Sequence, residues 1–409
     1  MPVRFEITPR YAALFPLLAG LVFLAVTYSG VWGAAENRSF DGSVLYLAAT
    51  AWLDGESAYD RAAYEAYFLA WQEQFQIKDR FERNIFVSPP TVAPLGLLMA
   101  QLPWTAAIIA LEVLQIIALV FMCFFAARLS DPDPATPLRI DAYTLTVSIV
   151  ACCFGAVTAT MLFGQLGILA ITGGLGAIYA WRVQRPVLMV AMILLASVKP
   201  QVSIMLLVFL LGAGQWRALI VAAAVALGLL AALEAPSGLL GLAERYAGAL
   251  QAYAAHPFNG DPAIRIGLGG LLRSVIDPSV VFAVTILAGV ALSVWLGART
   301  ARDDPRLPEV VMALLILGVI CVPLFSYDFI AGSALLVMSR YWRAFWIRGL
   351  VLCALIASSK PNGIENRVVT AETPILGIAD GYVMQLLVIG SLLFVGAIAL
   401  GHRWLAPRN

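Results

Sequence analysis

Histidine is nearly missing from this chain. His256 and His402 are the only two in 409 residues, which argues against an imidazole-based metal centre. Lysine is almost as scarce, with only Lys78, Lys199 and Lys360. The five cysteines (Cys123, Cys152, Cys153, Cys321 and Cys353) all fall in apolar runs and lack metal-site spacing, so they read as small core residues. Charged residues make up only 12% of the chain and sum to +1, which removes the electrostatic case for nucleic acid. No Ser/Gly linker, low-complexity stretch or convincing internal repeat divides residues 1–409, so a single domain is expected. The missing repeat also argues against the inverted-repeat plan of many transporters.

What the chain has in abundance is apolar sequence. It is 61% hydrophobic, more than a soluble core of this size needs. Runs of roughly 17–25 apolar residues identify an all-α polytopic membrane protein. Candidate spans are 11–32, 104–127, 142–160, 165–181, 187–198, 201–213, 217–235, 280–298, 309–325, 328–341, 344–358 and 381–402, about 12 in all. The first is long and follows a weak basic region (Pro2-Val3-Arg4), so it reads as a retained helix and not a cleaved signal. Arginines set the orientation. Arg4 and Arg10, Arg128 and Arg139, Arg182 and Arg185, Arg217, the group Arg299–Arg306, the group Arg340–Arg348, and Arg403 with Arg408 all fall on one side of a twelve-span layout with both termini inside. The predicted setting is the bacterial inner membrane.

The remaining connections then lie outside, including two large loops, 33–103 and 236–279. Residues 33–88 carry nine acids and five bases, a concentration that points to chemistry at the membrane surface. Within them, 42–53 and 59–72 show helical spacing of apolar residues and predict two interfacial amphipathic helices. Residues 89–103 are apolar, but counting them as a span would invert every later arginine cluster. Their prolines also leave backbone groups needing protein cover, so a re-entrant or interfacial segment is expected.

Several residues in the outer turns are candidates for chemistry. Asp41 follows the first span closely and is placed to act as a general base, or merely as a helix N-cap. Glu36, Asp54 and Asp60 compete with it, the last two looking like turn punctuation. Gln165 lies at a turn between spans and can hydrogen-bond sugar or phosphate, or cap a helix. Lys199-Pro200 breaks a continuous apolar run. An ammonium there is costly unless it reaches the outer mouth or a polar cavity, where it can neutralise a lipid phosphate. Snorkelling is the alternative. His256, Asn259, Asp261, Arg265 and Arg273 populate the second loop, with Arg265 expected at a helix end and suited to gripping phosphate. Ser326-Tyr327-Asp328 sits between two spans, with Asp328 either binding sugar hydroxyls or capping the next helix. Lys360, Asn362, Glu365 and Arg367 add polarity to the turn-rich loop 359–380. No acid spacing requires a divalent cation, and none excludes one.

Taken in order, an acid after the first span, Ala51-Trp52-Leu53-Asp54-Gly55 with Tyr59-Asp60, Ser88-Pro89-Pro90, Gly164-Gln165, Val198-Lys199-Pro200 and Ser326-Tyr327-Asp328 resemble glycosyltransferase family 87. These are membrane mannosyltransferase-like enzymes of the GT-C superfamily, and the likeness runs from about residue 11 to 340. It implies a polyprenyl-phosphate-linked sugar donor, mannose favoured, used on the periplasmic face with a glycolipid or glycan acceptor. It carries Asp41 over as catalytic base, and Gln165 and Lys199 as cavity residues. Histidine, frequent in other members near the stretch matching Ser326–Asp328, is absent there, which leaves sugar and acceptor unassigned.

The expectation is therefore an inverting membrane glycosyltransferase without a required cofactor. Two rivals make different demands. A lipid-linked sugar flippase or transporter calls for charge inside the spans. A polysaccharide polymerase or ligase calls for a large late loop rich in Arg and His, whereas here the first loop is the richest.

Overall fold

The computed structural model describes residues 40–75, 85–131, 133, 140–256, 265–273, 275–342, 344–358 and 382–405. The expected first span, Glu36, Lys78, Asn259, Asp261 and the loop 359–380 lie outside the described residues.

Apolar runs become helices, and prolines and glycines set their ends. Two helices come from the first loop, α1 (Phe40–Leu53) and α2 (Arg61–Phe75). A 3-10 turn, Pro90–Val92, leads into the eight-residue α3 (Ala93–Ala100), which at about 12 Å is too short to cross a bilayer alone. Then follow α4 (Trp104–Leu129), α5 (Ala142–Cys152), α6 (Gly155–Phe163), α7 (Gly167–Arg182), α8 (Pro186–Ala196), α9 (Pro200–Gly212), α10 (Trp216–Glu234) and α11 (Leu242–Ala255). A two-residue strand β1 (Arg265–Ile266) and the short α12 (Leu268–Leu271) precede α13 (Pro278–Arg299) and α14 (Leu307–Cys321). Strand β2 (Leu324–Phe325) pairs antiparallel with β1, and a 3-10 turn, Ser326–Asp328, feeds α15 (Ile330–Met338). The last elements are α16 (Phe345–Ala357) and α17 (Tyr382–Leu405).

Among the described residues, three helices are long and apolar enough to cross a membrane: α4, α10 and α13. The bent pair α5–α6, turned by 45°, makes a fourth if it is one span. The expected spans 187–198, 201–213, 309–325, 344–358 and 381–402 appear as shorter apolar helices. Both helix breaks are satisfied by hydroxyls. At the α5–α6 bend, Ser333 of α15 donates to the carbonyl of Ala151 (2.7 Å). At the α8–α9 break, where Pro200 cannot continue a helix, Ser203 donates to the carbonyl of Ala196 (2.8 Å).

The centre of the bundle is α7, buried along nearly its whole length by α4, α8 and α9. It is built on small residues. A Cβ added at Gly173 would meet the backbone nitrogen of Ala196 at 2.3 Å, so only glycine admits α8 at this distance.

Helices α7, α9 and α14 each connect the same two ends of the molecule. At one end lie Gln165, Lys199 and the 323–328 turn. At the other the arginines gather. Arg182 donates to the carbonyls of Arg128 (3.2 Å) and Asp131 (2.8 Å), and Arg340 donates to the carbonyl of Ala127 (2.9 Å) and to Asp131 Oδ2 (3.3 Å).

The first loop differs in one respect from expectation. Helix α2 is amphipathic, with Tyr64, Phe68 and Trp71 turned inward at helical spacing. Helix α1 is not: from Asp41 to Trp52 no residue is exposed, because α2, α3 and α4 cover it on different sides. It is part of the core and not a surface float.

Because Gly173 is held against backbone, Gly173→Ala is expected to lower stability by about 1–3 kcal/mol. Gly228→Ala on α10, where an added Cβ meets nothing within 4 Å, is expected to raise it by up to about 1 kcal/mol, since alanine favours the helix. Thermal unfolding of the detergent-solubilised proteins checks the pair.

Candidate active site

Four breaks in the helical run present polar side chains to one cavity. The first turn of α1 supplies Asp41. The α6–α7 turn supplies Gln165, since Gly164 adopts φ 68° and the backbone N–H of Gln165 returns to the carbonyl of Thr160 (2.9 Å), closing the helix and reversing the chain. The α8–α9 break supplies Lys199. The 3-10 turn before α15 supplies Tyr327 and Asp328.

These side chains form one continuous chain of hydrogen bonds. Gln165 Nε2 donates to Asp41 Oδ2. Lys199 Nζ donates to Gln165 Oε1 and to Asp328 Oδ1, the latter at 2.5 Å. Only an amide suits the middle position, because its NH₂ faces a carboxylate and its carbonyl faces an ammonium. The backbone beneath is held as well. Buried Gln115 donates to the carbonyl of Gln165 (3.2 Å), and Thr160 donates to the carbonyl of Tyr327 (2.7 Å).

An aromatic wall flanks the polar chain. The Tyr327 ring stacks on Phe325 at 5.1 Å, and the Lys199 ammonium lies 5.1 Å from the Tyr327 centroid. Burial, reinforced by the carboxylates of Asp328 and Asp41, pushes the Tyr327 phenol well above its ordinary value, so it stays protonated. Pairing of β1 with β2 sets Arg265 opposite Phe325, and its guanidinium packs over that ring at 3.9 Å. Arg265 therefore sits on a strand and not at the helix end expected.

The cavity enclosed by these groups has a volume of about 390 Å³. It is the size of a small-molecule site. Its outer wall is α11, whose Tyr246, Leu250 and Tyr253 face inward. Helix α11 is hung from buried Glu234. That carboxylate accepts from Arg245 Nη2 (3.3 Å) and from Trp52 Nε1 of α1 (2.9 Å). Tyr246 meets Tyr59 edge-on at 5.0 Å, and Tyr59 donates to the carbonyl of Ser88 (2.9 Å).

Of the residues expected at the site, Asp41, Gln165, Lys199, Arg265, Tyr327 and Asp328 line this cavity. Arg273 and His256 do not; Arg273 donates to the carbonyl of Gly270 (2.7 Å) at the end of α12. Asp328 does not cap α15, and Lys199 does not snorkel, since each is occupied with the other. Asp60 caps α2, accepting from the N–H groups of Ala62 (2.9 Å) and Ala63 (3.1 Å), and Asp54 accepts from Tyr67 (2.8 Å). The contribution of α11 was not foreseen, although Tyr246, Leu250 and Tyr253 recur at helical spacing. Among the described residues, no group of three or more His, Cys, Asp or Glu side chains converges on a point.

A cavity with acids, an amide and cations, set among apolar helices, defines a membrane-embedded enzyme. Residues 86–326 match the model of glycosyltransferase family 87, and the chain belongs to that family of glycosyltransferases. Comparison with curated proteins and with solved structures finds no match. The matched segment holds Gln165, Lys199 and Arg265; the fold brings Asp41 and Asp328 to it from either side.

Lys199 and Asp328 are nearly enclosed, with side chains 11% and 2% exposed. Lys199→Met is expected to cost about 3–5 kcal/mol by stranding the carboxylate. Lys199→Met combined with Asp328→Leu is expected to regain most of that stability while transfer stays abolished. A double-mutant cycle of thermal unfolding beside an activity assay checks both halves.

Proposed function

We propose that this glycosyltransferase moves a hexose or pentose, mannose favoured, from a polyprenyl-phosphate donor to a glycolipid or glycan acceptor. The reaction would occur at the periplasmic face of a bacterial inner membrane, in a twelve-span arrangement with both termini cytoplasmic. The observation that carries this reading is the chain Asp41–Gln165–Lys199–Asp328 along one cavity wall.

The depth of that cavity supports a lipid-linked donor. Helices α8 and α9 run between the cavity and the arginine-rich end, and are only 11 and 13 residues long. They cover about 17 and 20 Å, against about 30 Å of hydrocarbon. With the arginines at the cytoplasmic interface, the cavity floor lies below the outer surface, within reach of a phosphate whose prenyl tail stays in the bilayer.

In this mechanism Asp41 takes the proton of the acceptor hydroxyl as its oxygen attacks the anomeric carbon. The bond to the lipid phosphate breaks as the new glycosidic bond forms, and the configuration inverts. The Gln165 amide orients the base. The departing phosphate carries the electron pair and is met by Lys199 and Arg265. Since Asp328 already balances Lys199, Arg265 supplies the additional positive charge. Tyr327, kept protonated by burial, is an uncharged hydroxyl for the sugar.

The test is transfer from radiolabelled polyprenyl-phosphate mannose in proteoliposomes, wild type beside Asp41→Asn. Transfer by wild type, and a fall of about 10²–10⁴-fold in the variant with donor binding kept, is expected. Equal transfer by the two removes Asp41 from the mechanism. Arg265→Gln is expected to raise the KM for the donor.

A further inference from the structure

A second cavity lies at the arginine-rich end, where the α7–α8, α9–α10 and α13–α14 connections meet. Its volume is about 580 Å³. Trp181 and Met189 give it an apolar floor, and Gln184, Arg185, Gln215 and Arg302 give it polar walls. Asp303 is the acid in the lining. Asp304, nearby, is engaged by Arg306 at 2.9 Å.

Three observations favour a lipid phosphate as occupant. First, the charge is positive and arranged for an oxyanion. Arg185 and Arg302 face the cavity, and Arg217 and Arg299 flank it at the ends of α10 and α13. Guanidinium groups grip phosphate oxygens in pairs. Second, the cavity lies at headgroup level. Trp216 and Trp295 are exposed (49% and 53%), with Arg217 and Arg299 at 5.2 and 5.9 Å over their rings, the arrangement of an interfacial belt. Val187, next to the lining residue Pro186, is 83% exposed and extends the rim as apolar surface.

Third, the backbone at this point adopts a conformation that residues with a side chain rarely take. Gln184 is the one non-glycine residue with positive φ (57°) among the described residues. It closes α7 by the same pair of backbone bonds that close α6 at Gly164 and α9 at Gly214. Those two positions are glycine, as the left-handed conformation favours. Here a glutamine is kept, and its amide lies against the Arg302 guanidinium, accepting from it when its oxygen is turned inward. Gln184 thus holds Arg302 in position at a backbone cost.

We infer that this cavity binds the phosphate headgroup of an anionic phospholipid between Arg185 and Arg302, at the membrane face opposite the sugar-transfer cavity. The site is separate from catalysis and does not depend on which sugar is transferred.

The test uses the full-length protein in neutral detergent. Native mass spectrometry reads retention of phosphatidylglycerol, phosphatidylcholine and sn-glycerol 3-phosphate at equal concentrations. Wild type is expected to retain phosphatidylglycerol over the other two. Arg185→Gln with Arg302→Gln is expected to weaken that retention by about tenfold or more, and Arg61→Gln on distant α2 to leave it unchanged. Gln184→Gly, which relaxes the backbone and so folds at least as well, is expected to weaken retention while raising the unfolding temperature. Equal retention of the two lipids overturns the inference, as does retention unmoved by either Gln184→Gly or the double variant. Binding of glycerol phosphate as strong as that of the lipid assigns the arginines to a soluble phosphate and overturns the lipid source.

Discussion

An ammonium group at the break of an otherwise continuous apolar run is the constraint around which this molecule is arranged. Lys199 is followed by a proline that ends one helix and begins the next, so its charge cannot be carried along a helix face to water. Left alone in low dielectric it would be too costly to keep. The fold answers with Asp328 from 129 residues further along the chain and with the amide of Gln165. Satisfying Lys199 therefore fixes three helix breaks relative to one another. The fourth, Asp41, is joined through the far side of the same amide. A polar chain of this kind gains rigidity as its members are satisfied, and the Thr160 hydroxyl and the Gln115 amide NH₂, donating to the carbonyls of Tyr327 and Gln165, hold the backbone beneath it.

Helices α1 and α11 are anchored by a second buried charge that solves a similar problem. Glu234, at the end of α10, is fully enclosed and engages Trp52 of α1 and Arg245 of α11. Thr91 ties the segment before α3 to the carbonyl of Ser197, two residues from Lys199 (2.9 Å). The acid-bearing α1 and the wall helix α11 are therefore held by one carboxylate, while the α3 segment is bonded to the helix break that presents Lys199.

Much of the site was legible in the sequence because a polar residue at the edge of an apolar run has few bland explanations. Asp41, Gln165, Lys199, Tyr327 and Asp328 were visible on those grounds, and the cavity collects all five. What could not be read was who satisfies whom. Asp328 looked like an N-cap or a sugar ligand because its partner is remote in sequence. Arg265 looked like a helix-end residue because a two-residue strand has no periodicity to detect. His256 and Arg273 carry side chains suited to chemistry, but proximity in sequence to α11 and β1 does not bring them to the cavity lining. Helix α1 reads in sequence as an interfacial helix but is buried. Its helical spacing was right, yet spacing does not reveal that three other helices cover the remaining faces.

The short helices explain why the end that carries the Asp41–Asp328 cavity and the arginine-rich end lie so close together. A bilayer needs about 20 residues of helix, and α7, α8, α9 and α14 offer 16, 11, 13 and 15. Two polar cavities bound the ends of these helices, so the apolar slab between them is thinner than the surrounding hydrocarbon. Longer helices such as α4 and α13 are long and apolar enough to cross a membrane. The thin centre would be unstable as an isolated bundle in lipid, because its ends would expose unpaired backbone groups to hydrocarbon. It is tolerated because protein covers both ends: α1, α3 and α11 on one side, and the arginine-bonded connections on the other. With the lipid-linked donor proposed above, a thin core would let the polar cavity reach a phosphate whose prenyl chain stays in the membrane.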